Sequence, residues 1–373
     1  MSDILAPDRP PPAPSRSAGS LVGHRPAIET RVDSRLAEFL GAKARSGTEG
    51  DPVPNQLTLV LREFFDAGGK RIRPLLCMLG WQAAGGAGLP GSVVGVAAAL
   101  EMFHAVALIH DDLMDGSASR RGRPSVHRTL AERLGPGLTP ERAEQLGANT
   151  AVLAGDLALT WSDELLLAAL TPNQLATVLP LVSAMRAEAV HGQYLDLTAA
   201  GRHSEDLPLA LAIGRYKTAT YTVQRPLQIG ATLAGAAPEL LAGLSAFALP
   251  IGEAFQLRDD LLGAFGDPAR TGKPELDDLR DGKHTVLAAL AFERATPGQR
   301  VVLENLLGSP ALDRDGARQL RRVLAATGAR AEVERLIAER RAQALAALAA
   351  LALPGPVDEA LTGLAHRVTT RQQ

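Results

Sequence analysis

Apolar residues recur along most of the chain at intervals of three and four positions, the spacing of one face of an α-helix. One such series is Leu57, Val60, Leu61, Phe64 and Phe65, and a later one is Leu165, Leu166, Ala169 and Leu170. No run of residues alternates between apolar and polar as half-buried strands would, and no repeat of solenoid length stands out. The pattern therefore predicts an all-α protein.

Clusters of glycine and proline separate these series and predict where helices end. The clearest breaks lie at residues 85–91, 135–140, 171–172, 201–208, 266–274 and 308–310. The segments between them have the lengths of ordinary to long helices. Residues 329–352 are rich in Ala and Arg, a composition that favours helix and offers no obvious chemical group. We interpret this segment as a packing helix.

The first 26 residues differ from the rest of the chain. They carry prolines at positions 10, 11, 12 and 14 among Ser, Arg and Gly, and no apolar run of signal-peptide length. We predict a disordered Pro-rich tail over residues 1–26 and a single all-helical domain over residues 27–373. Of the 373 residues 46% are apolar but only 3% aromatic, which suits a core of Leu, Ala and Val on helix faces.

Charge and composition argue against several classes of function. The formal net charge of -2 gives no overall field to hold nucleic acid, so we expect no nucleic-acid partner. A single cysteine, Cys77, excludes an intramolecular disulfide framework and fits a reducing cytoplasm. The most membrane-like stretch, residues 93–109, is interrupted by Glu101 and His104 and runs into Asp111. It predicts a buried core helix and no transmembrane segment.

Two acidic motifs end apolar stretches. In the first, DDLMD at residues 111–115, Asp111 and Asp115 are four positions apart and share a helix face. Carboxylate oxygens suit magnesium, which fills its other positions with waters and substrate phosphates. Alone, this pair fits a metal site and a solvated helix end equally well. A second motif, FQLRDD at residues 255–260, favours a site for two or three magnesium ions between two buried helices.

Basic residues offer a place for an anion beside these carboxylates. GGKRIRP at residues 68–74 combines flexible glycine backbone with three cations, a pattern that favours a phosphate group. The P-loop pattern GxxxxGK[ST] is absent, so nucleotide binding is the weaker interpretation. RRGRP at residues 120–124, which alone is typical of a solvated loop, beside a DDxxD motif indicates a diphosphate clamp. Lys217, Gln193 and Asp196 add polar groups to otherwise apolar helices.

These motifs resemble the polyprenyl synthetase family, the trans-isoprenyl diphosphate synthases, over roughly residues 57–289. In order, the shared motifs are GGKRIRP at 68–74, DDLMD at 111–115, RRGRP at 120–124, GQ at 192–193, KT at 217–218 and FQLRDD at 255–260. The resemblance implies an isoprenoid synthase bundle of long helices around a central active-site cavity, usually in a homodimer. It also implies condensation of isopentenyl diphosphate with dimethylallyl, geranyl or farnesyl diphosphate to a linear polyprenyl diphosphate, with release of diphosphate.

The resemblance assigns roles residue by residue. The isopentenyl diphosphate site comprises Lys70, Arg73, His104 and Arg121, and contacts to the allylic diphosphate come from Arg120, Lys217, Thr218 and Gln256. The expected magnesium ligands, which together with Lys217 form the catalytic set, are Asp111, Asp115 and Asp259. Lys273 and Lys283 lie in segments that resemble the family's loop over the diphosphates. His104 stands two helical turns before Asp111 and therefore on the same face.

One position departs from the family pattern. Where the second motif commonly carries a third aspartate, four residues after the first, this chain has Gly263. Asp267 follows near a predicted helix end, so we expect no third ligand from this motif. The rest of the polar set is present, and loss of activity does not follow.

Product length in this family depends partly on side-chain bulk before the first aspartates. The positions four and five residues upstream of Asp111 are Ala107 and Val106, and neither is bulky enough to close a tunnel at farnesyl length. The first bulky side chain is that of Phe103, about 12 Å from Asp111 along the helix. We predict a geranylgeranyl product with Phe103 near the floor of the cavity; an ordinary core position for Phe103 stays open.

Two other functions compete with chain elongation. A class I terpene cyclase has the same bundle and an aspartate-rich magnesium site, but it needs no isopentenyl diphosphate site such as GGKRIRP and RRGRP indicate. A non-catalytic regulatory subunit of a heteromeric prenyl synthase would lose metal or diphosphate residues, and these are intact here apart from Gly263. The sequence therefore favours a magnesium-dependent prenyltransferase.

Overall fold

The structure is a computed structural model that describes residues 25–46, 56–266 and 276–370. Its helices are α1 (Arg25–Ser46), α2 (Gln56–Asp66), α3 (Ile72–Ala83), α4 (Gly91–Met114), α5 (Val126–Leu134), α6 (Pro140–Ala169), α7 (Pro172–Ala199), α8 (Leu207–Gly214), a π-helix (Arg215–Gln224), α9 (Arg225–Leu233), α10 (Pro238–Phe265), α11 (Asp277–Arg280), α12 (Val286–Arg294), α13 (Pro297–Leu306), α14 (Arg314–Ala326), α15 (Ala329–Ala349) and α16 (Gly355–Thr370). A two-residue antiparallel hairpin, β1 (Ser119–Arg120) and β2 (Arg123–Pro124), pairs Arg120 with Arg123. The all-α prediction is confirmed.

Local chemistry explains where these helices begin. α7 starts with a capping box, in which Thr171 and Gln174 exchange side-chain and backbone hydrogen bonds, followed by proline at the first helical position. Thr296 and Gln299 repeat this device at α13. α1 begins at Arg25, so the last two residues of the predicted tail are helical, and residues 1–24 lie outside the described part of the chain.

α4 is the central helix of the bundle and packs against α6, α3 and α1. Val96, Ala97 and Ala98 are fully buried, which agrees with the prediction of a core helix. Among the described residues, α4 and α10 are long and apolar enough to span a membrane by length and composition. The most apolar window of α4 is 78% buried within the fold and that of α10 44% buried, as core helices of a bundle are.

α10 joins two hydrophobic cores. Leu244 and Phe247, in its first half, belong to the core built around α4. Leu257 and Leu261, in its second half, belong to a core formed with α12, α14 and α15. Because both halves are anchored, the aspartates of the second motif hold a fixed position opposite the end of α4.

Glycines allow α7 and α10 to approach the π-helix closely. A Cβ at Gly192 of α7 would lie 2.2 Å from the backbone nitrogen of Lys217, and one at Gly252 of α10 would lie 2.5 Å from Ala219 Cα. No side chain fits in these spaces. The π-helix, whose residues 218–223 are all buried, is therefore packed tightly between α7 and α10.

Candidate active site

Two adjoining cavities lie between the C-terminal ends of α4 and α10. The first is the more polar of the two, about 760 Å³ in volume, and its lining includes Asp111, Asp115, Lys217, Asp259 and Lys283. The second is mainly apolar, about 840 Å³ in volume, and extends along α4. Residues that line both cavities are Lys70, Asp111, Arg120, Arg121, Lys217, Gln256 and Asp259. The site is therefore one space with a charged compartment and an apolar compartment.

Cations hold the aspartates of the first motif. Lys217 Nζ lies 2.9 Å from Asp111 Oδ1 and 2.6 Å from Asp196 Oδ2, so one ammonium group joins α4 to α7. Lys283 Nζ lies 2.7 Å from Asp115 Oδ2. Burial tends to raise the pKa of Asp111, but Lys217, Lys283 and Arg120 outweigh it and lower the pKa, so the carboxylate is ionised.

The short hairpin directs the side chains of Arg120 and Arg121 towards two different motifs. Arg121 and Gly122 form its two-residue loop with φ of 54° and 73°, and positive φ at both central positions is typical of a type I′ turn. Arg120 points to the first motif, where its Nε donates to Asp112 Oδ2 at 2.6 Å. Arg121 donates to the carbonyl of Gly68 in the GGKRIRP segment. The turn therefore brings two predicted diphosphate motifs together.

Arg71 fixes the backbone of that segment. Its φ is 46°, and its guanidinium turns into the core, 2.8 Å from Glu101 and 2.7 Å from Asp33. Glu101 is 3% exposed and belongs to α4. This buried pair ties the segment to the helix of the first motif, while the neighbouring Lys70 and Arg73 line the cavities.

Tyr221 of the π-helix connects the predicted isopentenyl diphosphate residues. The guanidinium of Arg73 lies 4.2 Å from the ring centroid of Tyr221, and His104 Nδ1 lies 2.9 Å from the Tyr221 hydroxyl oxygen. Burial raises the pKa of Tyr221 to about 12. Burial, followed by the charges of Arg73 and Arg121, lowers the pKa of His104 well below its ordinary value. The pair therefore stays neutral beside the cations.

In the second motif, Gln256 connects the π-helix to Asp260. Thr218 Oγ1 donates to Gln256 Oε1, and Gln256 Nε2 donates to Asp260 Oδ1 at 2.7 Å. Asp259 lines both cavities. Gly263 lies one turn further along α10. Asp267 and Lys273 lie outside the described residues.

The structure brings the described candidate residues to one space. Around the two cavities lie Lys70, Arg73, His104, Asp111, Asp115, Arg120, Arg121, Lys217, Thr218, Gln256, Asp259 and Lys283, together with Phe103, Val106 and Ala107. Sequence reasoning assigned no role to Tyr221 or to Asp112, the partner of Arg120. A signal for Tyr221 was its position four residues after Lys217, one turn along the same helix.

The donor set fits a hard divalent cation. Asp111, Asp115 and Asp259 present carboxylate oxygens to one cavity. Within residues 25–46, 56–266 and 276–370, no three His, Cys, Asp or Glu side chains stand close enough to hold a metal ion by themselves. Carboxylates on two facing walls instead suit ions whose remaining ligands are waters and phosphate oxygens, as is usual for magnesium.

Comparison with known proteins agrees with this arrangement. Residues 54–324 match the sequence model of the polyprenyl synthetase family. A geranylgeranyl pyrophosphate synthase from Corynebacterium glutamicum, solved with isoprenyl diphosphate and magnesium, is 39% identical with a TM-score of 0.87, covering 92% of this chain and 98% of that one.

Two curated relatives are also isoprenyl diphosphate synthases by name. A short chain isoprenyl diphosphate synthase from Methanothermobacter thermautotrophicus is 33% identical over 69% of this chain and 74% of its own length. A geranylfarnesyl diphosphate synthase from Aeropyrum pernix is 31% identical over 70% of this chain and 78% of its own. With its motifs assembled around one cavity and the family model matched over most of its length, the chain belongs to the polyprenyl synthetase family of trans-prenyltransferases.

Proposed function

We propose that this trans-prenyltransferase uses magnesium to make geranylgeranyl diphosphate from isopentenyl diphosphate and the allylic primers. One observation carries the proposal: the charged compartment opens into an apolar compartment lined by the small side chains of Val106 and Ala107 and, deeper, by the bulky ring of Phe103. An allylic diphosphate fits with its charged head among the cations and its apolar tail along α4. The relatives' names span several product lengths, so the length assigned here rests on this wall.

The charged compartment binds and activates the allylic diphosphate, and isopentenyl diphosphate lies where this compartment adjoins the apolar one. Lys217, Lys283 and Arg120 stabilise the charge on the allylic diphosphate as its bond to carbon breaks. Lys70, Arg73 and Arg121 bind isopentenyl diphosphate. Bound magnesium ions, held by Asp111, Asp115 and Asp259, would neutralise further charge on the leaving group. The apolar wall excludes water from the allylic cation until the isopentenyl double bond attacks it.

The proposal includes a homodimer in the cytoplasm. Several large apolar side chains of the adjacent helices α6 and α7 are exposed in the single chain, a concentration typical of a protein interface. They are Val152, Leu153, Leu167 and Leu179, whereas the exposed Val190, Tyr194 and Leu197 of α7 line the apolar cavity. Light scattering after size-exclusion chromatography tests the dimer, and a monomer at micromolar concentration would contradict it.

The proposed reaction is tested with labelled isopentenyl diphosphate and each of three primers, dimethylallyl, geranyl and farnesyl diphosphate, with and without magnesium. We expect magnesium-dependent formation of geranylgeranyl diphosphate from all three. Products that are only longer would show that the floor of the cavity lies beyond Phe103. A hydrocarbon released from an allylic diphosphate alone would favour a class I terpene cyclase instead.

A further inference from the structure

A charged residue, Arg186, contacts the Phe103 ring and does not itself line the apolar cavity. The guanidinium carbon of Arg186, in α7, lies 5.3 Å from the centroid of the Phe103 ring, within the range of a cation–π contact. The ring also packs edge-on against Tyr221 at 5.8 Å. Phe103 lines the apolar cavity, and Arg186 is not among the described residues that do. A product that grows along the cavity therefore meets the ring first and the guanidinium second.

Three helices hold Arg186 in this position. Its Nη1 donates to Asp163 Oδ1 at 2.6 Å, and its Nη2 donates to Ser162 Oγ at 3.0 Å, both on α6. Ser162 Oγ in turn donates to the carbonyl of Ala99 on α4 at 2.8 Å. The guanidinium is therefore fixed by directed bonds and cannot swing aside without breaking an ion pair.

The cavity wall changes from apolar to charged at the same depth on two helices. On α7 the lining residues Ala189 and Val190 are followed, one turn deeper, by Arg186. On α6 the lining residue Leu159 is followed, one turn deeper, by Asp163. An apolar tail that passed Phe103 would therefore leave apolar walls for an ion pair.

Contact with this ion pair opposes further growth. The Nε of Arg186 is buried and makes no hydrogen bond to any described group. An isoprenoid tail against the guanidinium would remove more of its water and offer no acceptor in exchange, which is unfavourable for a charged group.

We propose that Arg186 limits the product length as a second barrier behind Phe103. This inference rests on the proposed elongation function and assigns a specificity-determining role to a residue outside the cavity lining. Removing Phe103 alone opens a short extension that ends at the guanidinium. Longer products require the loss of both side chains.

The test compares the products of Phe103→Ala, Arg186→Met and the double variant, with Arg128→Met as the matched control. Arg128 also pairs with one carboxylate, that of Glu144 at 2.7 Å, but lies on α5 away from the cavities. We expect unchanged products for Arg128→Met and Arg186→Met, at most one extra five-carbon unit for Phe103→Ala, and at least two for the double variant. Equal product lengths for Phe103→Ala and the double variant would overturn the inference.

Arg186→Lys in the Phe103→Ala background separates the effect of the charge at position 186 from the effect of the size of its side chain. Lysine retains the cation, so the products should stay as short as those of Phe103→Ala alone. Should the alanine variants unfold in thermal melts, the milder pair Phe103→Leu and Arg186→Gln replaces them with the same expected order of product lengths.

A binding measurement separates this inference from the proposed reaction. Without isopentenyl diphosphate, the affinity for geranylfarnesyl diphosphate relative to geranylgeranyl diphosphate should rise at least tenfold in the double variant and stay unchanged in Arg128→Met. Wild-type protein that elongates no primer would refute the proposed function, while this affinity ratio would still decide the role of Arg186. An unchanged ratio in the double variant would refute the inference alone.

Discussion

α4 and α10 each end in adjacent aspartates, but the two motifs have different surroundings. On α4, Asp111 is held by the ammonium group of Lys217, with further cations close by. On α10, Asp260 accepts a hydrogen bond from the neutral amide of Gln256. Cations that line the cavity therefore surround the first motif, while Gln256 joins the second motif to Thr218 of the π-helix.

The contrast continues two turns earlier on each helix. Seven residues before its first aspartate, α4 carries His104, which faces the cavity and contacts Tyr221. The equivalent position on α10 is Gly252, where the helix touches the backbone of Ala219. α4 thus presents polar groups to substrates, and α10 uses the same face to pack. Five predictions test this division of roles.

The largest effect is expected at the first motif. Asp111→Asn keeps the shape of the side chain but removes the charge of an expected magnesium ligand, and we expect kcat/KM to fall roughly a thousandfold because the ion it would hold stabilises charge on the leaving diphosphate. Asp260→Asn, on α10, should cost about tenfold or less, because Gln256 can still donate to the amide oxygen of the new side chain and the expected ligand Asp259 is kept. Steady-state kinetics with farnesyl diphosphate measure both. Equal losses would contradict the comparison.

The next effect concerns the ammonium group shared between α4 and α7. Lys217→Met should lower kcat/KM roughly a hundredfold, because it removes a cation at the leaving group and leaves Asp111 and Asp196 without their partner. Adding Asp196→Asn to this variant should cost little more, because the two residues act as one unit. Fully additive losses in the double-mutant cycle would show that Asp196 acts independently of Lys217.

On α10 the expected effect is on stability. Gly252→Ala places a methyl group against the backbone of Ala219 and should lower the free energy of unfolding by about 1–3 kcal/mol. Gly298→Ala, at a helical glycine with open space around it, is the control and should stabilise the protein slightly. Urea unfolding measures both. An unchanged free energy of unfolding for Gly252→Ala would show that the π-helix can move away from α10 at little cost.

His104 of α4 predicts a dependence of stability on pH. Its pKa is depressed in the folded protein, so below about pH 6.5 the unfolded chain binds a proton that the folded chain does not. Stability is therefore lost as the pH falls through this range. Between pH 7.5 and 5.5, wild type should lose about 1 kcal/mol more than His104→Gln, whose side chain does not titrate. An equal loss of unfolding free energy between pH 7.5 and 5.5 in the two proteins, measured by urea unfolding, would argue against a neutral His104.

The smallest effect is expected at Gly263. Gly263→Asp restores the aspartate of the family pattern, and we expect kcat to change by about twofold or less, because the charges around the first motif already complete the site. Gly263→Asn controls for bulk without charge. A tenfold rise in kcat specific to the aspartate would instead show that the second motif lacks a metal ligand.

The helices and the clustering of motifs were predictable because each depends on local chemistry. Glycine and proline mark the helix ends, and the cap of α7 uses Thr171 and Gln174, which are three positions apart. The aspartate motifs end apolar runs, so the sequence indicated that they stand at the ends of buried helices. The described candidate residues accordingly surround one space, while the roles assigned to them stay predictions.

Features that depend on tertiary neighbours escaped the sequence analysis. The hairpin around Gly122 is two residues per strand, too short for an alternating pattern to register. The role of Arg186 follows from contacts across helices that no spacing along the chain encodes, and for Tyr221 the spacing from Lys217 gives its position but not its contacts with Arg73 and His104. The π-helix depends on tertiary neighbours as well, because its segment is rich in Tyr, Thr and Val, which do not favour helix, and it is packed between α7 and α10.

That wider turn has an evolutionary consequence. A π-helical turn accommodates one residue more than an α-helical turn, so it is equivalent to an insertion that the surrounding helix absorbs. Deleting one residue from Arg215–Gln224 could narrow the segment to α-helical turns and leave the helices on either side in register, but it would rotate positions inside the segment by about 100°. Lys217 and Tyr221, both inside the segment, would then change their directions relative to each other. Descendants of this chain that keep the proposed activity are therefore expected to keep the number of residues between these two side chains.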